Sequence, residues 1–259
     1  MNERTNAPQA LTIVGPGRVG NSIARAATEA GVDVVLTGRD FTRDELASRT
    51  VLLCVPDSAI ARVAEGIAKI CGDGGLPRLA GHTSGATTLD PLLPCQTEGA
   101  FSLHPLQTVP DRSTDLKGCP GAVAGSNALA LATASALAGE IGMEPFEVAE
   151  SDRAIYHAAA SIAANYLVTL EQTAADLLGG IGVANPREVL APLVRRSLSN
   201  WESLGADALT GPIARGDTGT VEAHRAALEV SAPEILRLYD AMAERTRAMA
   251  NTAKGASVS

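Results

Sequence analysis

The 259-residue sequence has no run of lysines or arginines, no apolar stretch long enough to span a bilayer, and no cysteines or histidines paired at metal-ligand spacing. Each absence removes a class of function. Without basic clusters, and at a net charge of −8, the chain is expected to bind neither nucleic acid nor an anionic membrane surface. Residues 1–10 are polar and lack the apolar core of a signal peptide, so a cytoplasmic location is expected. Cys54, Cys71, Cys95 and Cys119 form no C-x-x-C pair, which argues against a zinc knuckle or a disulfide framework and for reduced thiols. His82, His104, His157 and His224 are equally dispersed, so no metal site is expected. No internal repeat is present. With 46% apolar residues, the chain has material for a genuine core in one large domain or two moderate ones.

What is present begins at Leu11-Thr-Ile-Val, a short apolar strand that runs into Gly15-Pro16-Gly17-Arg18-Val19-Gly20 and then into helical sequence. This G-x-G-x-x-G context points to a dinucleotide site. Gly15 permits the tight turn, Gly17 admits backbone close to a pyrophosphate, and Gly20 lets helix pack on strand. The phosphates would sit at the helix N-terminus, where unpaired N–H groups and the helix dipole favour an anion. The second strand, Val32 to Arg39, ends with Thr37 where an NAD site carries an acid for the ribose 2′-hydroxyl. Arg39 follows two residues later and can grip a 2′-phosphate, so NADP(H) is preferred to NAD(H).

From Leu11 to about Ala149 apolar strands alternate with helical segments, the pattern of a parallel sheet covered on both faces. The strand at Thr50–Val55 ends in Pro56-Asp57, placing Val55, Pro56 and Asp57 on the cofactor side of the sheet. Further strands are expected at 79–85, 100–104, 121–125 and 145–149, with a helix over 127–141. Beyond Ala149 strand alternation stops. Helices are expected at 152–178, 186–204, about 220–231 and 233–250, with a glycine-rich loop at 210–219. The fold class is therefore an α/β Rossmann-type nucleotide-binding domain (9–149) followed by an all-α domain (150–251), with disordered tails at 1–8 and 252–259. The alanine-rich face of the long helix, Ala158 to Ala164, suits a homodimer formed through the helical domain.

Hydride transfer to a carbonyl needs a proton donor or acceptor at the substrate oxygen, and polar residues at strand ends are the candidates. Two clusters qualify, His82-Thr-Ser84-Gly-Ala86 and Ser102-Leu-His104-Pro-Leu-Gln-Thr108. On the long helix, His157, Ser161 and Asn165 recur at a spacing of four and share one stripe. In Thr210 to Asp217, Arg215 supplies a carboxylate-binding fork beside glycines that permit close approach, and Asp217 is placed to cap the next helix.

These blocks, HTSGA, SLHPLQT and LTGPIARGD followed by His224, carry a resemblance to the Rossmann-like proteins with a DUF2520 C-terminal domain, which extends over nearly the whole chain. That family sits in the larger group of 6-phosphogluconate, 3-hydroxyisobutyrate and prephenate dehydrogenases, pyrroline-5-carboxylate reductase and ketopantoate reductase. The resemblance implies a reductase or dehydrogenase. By analogy with prephenate dehydrogenases, which carry a Gly-Ser turn and a His-Pro pair at corresponding strand ends, it makes His104 the acid or base and Ser84 the residue orienting His104 or the nicotinamide. Several relatives place a lysine four residues before the helix asparagine; here Ser161 stands there, which turns attention to His104. Asn165 is expected to hydrogen-bond the substrate oxygen, with His157 and Ser161 beside it and Arg215 holding a carboxylate. The expected function is an NADP(H)-dependent oxidoreductase acting on a small carbonyl or alcohol, an acid such as ketopantoate being one candidate. A prephenate-type dehydrogenase, an imine reductase of the pyrroline-5-carboxylate type, and a non-catalytic NADP(H)-binding sensor or scaffold are the alternatives.

Overall fold

The computed structural model describes residues 7–72 and 76–256. The first half interleaves β1 (Ala10–Val14), α1 (Arg18–Glu29), β2 (Asp33–Thr37), α2 (Arg43–Leu46), β3 (Thr50–Leu53) and α3 (Ile60–Cys71) with β4 (Leu79–His82), β5 (Gly99–Pro105), β6 (Pro120–Gly125), α4 (Ala128–Glu140) and β7 (Glu144–Glu147). The seven strands form one sheet in the order β2-β1-β3-β4-β5-β6-β7. Residues of β1 and β3 are almost wholly buried, as their predominantly apolar sequences, each with one threonine, suit strands covered on both faces. Neighbouring side chains of β3 feed opposite faces. Leu52 packs in one cluster with Leu11, Ile13, Ile23 and Leu137, whereas Val51 and Leu53 pack in the other with Phe41, Ile60 and Ile67. Helices α1 and α4 thus cover one face and α3 the other.

One feature departs from the expected parallel sheet: β6 runs antiparallel to β5. The chain between them, residues 106–119, holds no crossover helix, and a chain that turns back without a crossover can only pair antiparallel. Two short elements were also not foreseen, α2 and a 3₁₀ segment at Asp90–Cys95.

The rest is helical: α5 (Arg153–Ser161), a π-turn at Ile162–Tyr166, α6 (Leu167–Gly180), α7 (Pro186–Leu204), α8 (Gly211–Arg215), α9 (Thr218–Ser231) and α10 (Leu236–Ala256). The expected continuous helix over 152–178 is therefore interrupted by the π-turn, and the expected loop at 210–219 contains α8. Helix α10 carries through residues 252–256, which were read as part of a tail; residues 1–6 and 257–259 of the expected tails lie outside the described residues. The chain divides into two compact units, the first ending at Asn165 and the second beginning at Tyr166. Arg153 ties α5 to the sheet within the first unit, as described below. Asp217 caps α9 as its sequence position implied, its Oδ1 accepting the Thr220 N–H at 3.0 Å. No helix among the described residues is long and apolar enough to cross a membrane.

Candidate active site

The glycine turn joins β1 to α1. Gly15 has φ +116°, and a Cβ there would run into the carbonyl oxygen of Cys54, so only glycine fits. At Gly20 a Cβ would strike the carbonyl of Gly15, whereas Gly17 faces open space on its Cβ side. The turn is held by the Gly15 N–H donating to the Thr37 carbonyl at 2.9 Å. Asn21 Nδ2 adds bonds to the carbonyls of Pro16 at 2.7 Å and Gly17 at 2.8 Å. Helix α1 starts at Arg18 with no capping side chain and no acid in its first turn. This is the arrangement that leaves backbone donors for an anion.

Three cavities run through the first unit and share walls. The first, about 590 Å³, is lined by Gly15, Pro16, Gly17, Arg39, Val55 and Arg62 among others. The second, about 520 Å³, shares Gly17, Val55 and Pro56 with it and adds Arg18, Val19, Asp57, Ser84 and His104. The third, about 620 Å³, shares His104 with the second and adds Tyr156, His157, Ser161 and Asn165. His104 therefore stands in the wall between the second and third cavities. Thr37 contributes its carbonyl to the turn and does not line the first cavity; Arg39 does, joined by Arg62 of α3. The residues present fit NADP(H): an open glycine turn at an uncapped helix, then two guanidiniums suited to a 2′-phosphate.

The imidazole of His104 is fixed by a partner that sequence reasoning missed. Its Nδ1 lies 2.7 Å from the Tyr156 hydroxyl, and the two rings meet edge to face at 5.6 Å. His157 approaches the same imidazole at 5.9 Å. Gly85 makes this crowding possible, because a Cβ there would lie 2.7 Å from His157 Cδ2 and 2.9 Å from His104 Cε1. Burial, then the nearby charges of His157 and Arg153, push the His104 pKa down to about 4, so the ring is neutral at physiological pH. Burial pushes Tyr156 up to about 12 against the opposing pull of Arg153, so the phenol keeps its proton.

Ser84 lines the second cavity, but its hydroxyl serves its own turn. It accepts the Thr87 N–H at 2.9 Å and pairs with the Thr87 hydroxyl at 2.9 Å. The hydrogen-bond partner of His104 Nδ1 is Tyr156, whereas the Ser84 hydroxyl is engaged by Thr87. His82 is wholly buried, with Nδ1 accepting the Ser84 N–H at 3.2 Å and Nε2 bonded to the Thr88 carbonyl at 3.0 Å. Both nitrogens are occupied, and burial pushes its pKa down to about 4; His82 is structural.

Arg153, only 3% exposed, fastens α5 to the strand ends. It donates to Ser102 Oγ at 2.6 Å and to the Ser84 carbonyl, and pairs with Glu150 at 3.5 Å. Its Nε has no partner among the described residues. Since Arg153, Tyr156 and His157 follow i, i+3, i+4 spacing, they share one helix face. That spacing was the available signal for both missed residues. Arg215 belongs to the second unit, where it ends α8 and helps to hold the Asp217 carboxyl below its usual range, after the larger effect of Thr220.

Residues 119–246 match the family described as "Domain of unknown function (DUF2520)". No curated protein matches the chain in sequence. Among solved structures, a Bacteroides fragilis protein provisionally assigned as an NADP oxidoreductase superimposes with TM-score 0.76 at 20% identity, over 93% of this chain and 98% of that one. Protein TM1727 from Thermotoga maritima gives TM-score 0.75 at 22% identity, over 94% and 99%. The reductive aminase of Aspergillus terreus, solved with NADPH and ethyl-5-oxohexanoate, gives 0.62 at 16% identity, over 91% and 92%. At these identities the likeness is one of fold.

Proposed function

We propose, from the match of residues 119–246 to DUF2520 and from the Rossmann-like fold, that the chain is an NADP(H)-dependent oxidoreductase that interconverts a small carbonyl or imine with the reduced alcohol or amine. The observation that carries this reading is that three adjacent cavities share lining residues from the one holding Arg39 and Arg62, through Gly17, to a neutral His104 bonded to Tyr156. NADPH, when bound, supplies hydride to the carbonyl carbon. The remaining task for the protein is to place the substrate and deliver one proton to its oxygen.

A neutral imidazole does this as a hydrogen-bond donor that polarises the carbonyl, without the spare proton of an imidazolium. With the Tyr156 phenol donating to Nδ1, the ring proton lies on Nε2. As the C=O electron pair moves onto oxygen, that oxygen takes the Nε2 proton. The phenol, which burial keeps protonated, holds Nδ1 through its hydrogen bond while solvent returns a proton to Nε2. Asn165 and Ser161 line the same cavity and support placement of the substrate, with His157 beside them. Pairing with a second copy of the chain, through the helical half, completes the proposal.

The test is an NADPH-oxidation screen over ketones, aldehydes, keto acids and cyclic imines, with thermal shift against NADP and NAD. NADP is expected to stabilise the protein more than NAD, and Arg39→Ala to remove most of that difference. Both Tyr156→Phe and His104→Ala are expected to lower kcat/KM by roughly 100-fold, within the range for loss of a proton-transfer group, with NADP affinity kept. Unchanged turnover in His104→Ala would remove the proton role, and NADP binding without turnover of any carbonyl would leave the sensor reading.

A further inference from the structure

The titratable side chains that line the third cavity are His104, Tyr156 and His157. Leu106, Phe146, Ala159, Ala160, Ala163 and Ala164 give it an apolar wall, and Gln107, Thr108, Ser161 and Asn165 give it neutral polar atoms. Among the described residues, no aspartate, glutamate, lysine or arginine lines it. The buried cation Arg153 is not among the lining residues, and its two terminal guanidinium nitrogens are engaged by Ser102, the Ser84 carbonyl and Glu150. His104 is held neutral by burial. A carboxylate entering here would leave water without meeting a fixed positive charge, which is strongly unfavourable. An uncharged molecule loses nothing comparable, and gains from the apolar wall. A volume of about 620 Å³ is ample for a small cyclic or branched substrate.

We infer that this cavity is the substrate site and takes an uncharged carbonyl or imine compound with an apolar body, bearing no free carboxylate. The inference rests on the reading of His104 as the group at the reacting oxygen. It departs from the acidic substrate that the wider dehydrogenase group suggested. In this arrangement the substrate's reacting oxygen or nitrogen lies toward His104, and its hydrocarbon portion lies against the alanines of α5 and the π-turn. The π-turn contributes directly, because Ala163, Ala164 and Asn165 belong to it and all line the cavity.

The test uses the full-length protein with NADPH and substrates matched in skeleton: cyclohexanone against 3-oxocyclohexanecarboxylate, and 1-pyrroline against 1-pyrroline-5-carboxylate. The uncharged member of each pair is expected to give the higher kcat/KM, by about 100-fold or more, the size expected when a charge is desolvated unpaired. Ser161→Lys, with Ala160→Lys as a second placement, puts a cation in the cavity. Either is expected to shift the ratio toward the acid by at least about tenfold, and retained NADP-induced stabilisation shows that the variant is folded. A wild-type preference for the acids would overturn the inference while leaving the oxidoreductase reading intact. A ratio unmoved in both folded lysine variants would overturn the placement of substrate in this cavity. No NADPH oxidation with either member of any pair, while keto acids in the wider screen are turned over, would overturn the inference alone; no oxidation across that whole screen would overturn the oxidoreductase reading with it.

Discussion

His82 and His104 are both driven well below the ordinary histidine range, to about 4 each, with burial as the first cause. The same shift has different consequences at the two positions. At His82 the ring is enclosed, with both nitrogens occupied by backbone groups, and neutrality secures the turn that leads to Ser84. At His104 one nitrogen is held by Tyr156 and the ring lines two cavities. In the unfolded chain both rings titrate near about 6.5. Between that pH and about 4 the unfolded state binds more protons than the folded one, so folding stability is whole above the unfolded pKa and is lost as pH falls through this window. For the fully buried His82 the loss is roughly 3 kcal/mol at the low end. The melting temperature is therefore expected to fall steeply from pH 6.5 toward pH 4, the window set by those pKa values. In His82→Gln, which starts less stable, the fall should be shallower. Thermal unfolding across that window checks this, and parallel slopes in the two proteins would show that His82 is not the titrating group.

At the scale of elements, the placement of α5 decides the site, because Tyr156 and His157 reach His104 only if the first turn of α5 is held to the strand ends. Arg153 does this through its bonds to β5 at Ser102 and to the carbonyl following β4 at Ser84. In Arg153→Met the helix propensity is kept and the buried partners are orphaned. Glu150, partly exposed, can be rehydrated, so the cost is roughly 2 to 3 kcal/mol, for the two buried groups left unpaired. Urea unfolding is expected to show that loss while NADP affinity stays within a few-fold, since the glycine turn is untouched. A stability near wild type would mean that α5 is held by other contacts. The same elements mark how far sequence could be read. Predominantly apolar runs gave β1 and β3, and Asp217 and Pro186 marked helix starts, because in each the deciding chemistry lies within a few residues. The direction of β6, the π-turn and the partner of His104 were not legible. Tyr156 lies 52 positions from His104, so their contact depends on how α5 packs. The Ser84 hydroxyl, by contrast, is engaged by a partner only three residues away, Thr87.

For the molecule as a whole, the two units differ in how they bury apolar surface. The first has two clusters of buried aliphatic side chains, one on each face of the sheet. In the second, the buried apolar residues among those described are Ala175, Val221, Ala232, Ala243 and Ala250, and α7 buries none of its residues. Large side chains remain outside, with Val189 56%, Leu193 64% and Trp201 63% exposed along α7. We propose that a second copy covers this exposed apolar surface, since its own α7 has the same unburied residues and can form a self-complementary contact. Light scattering behind size exclusion is then expected to give a mass near twice the 26.5 kDa chain. The single tryptophan makes the surface itself observable. Trp201 emission should be blue-shifted at micromolar protein and move to the red on dilution as copies separate. Leu193→Glu should produce the red-shifted monomer at all concentrations, by placing a charge where apolar surface is covered. A wild-type chain that elutes as a monomer with solvent-exposed Trp201 emission would show that no second copy covers α7.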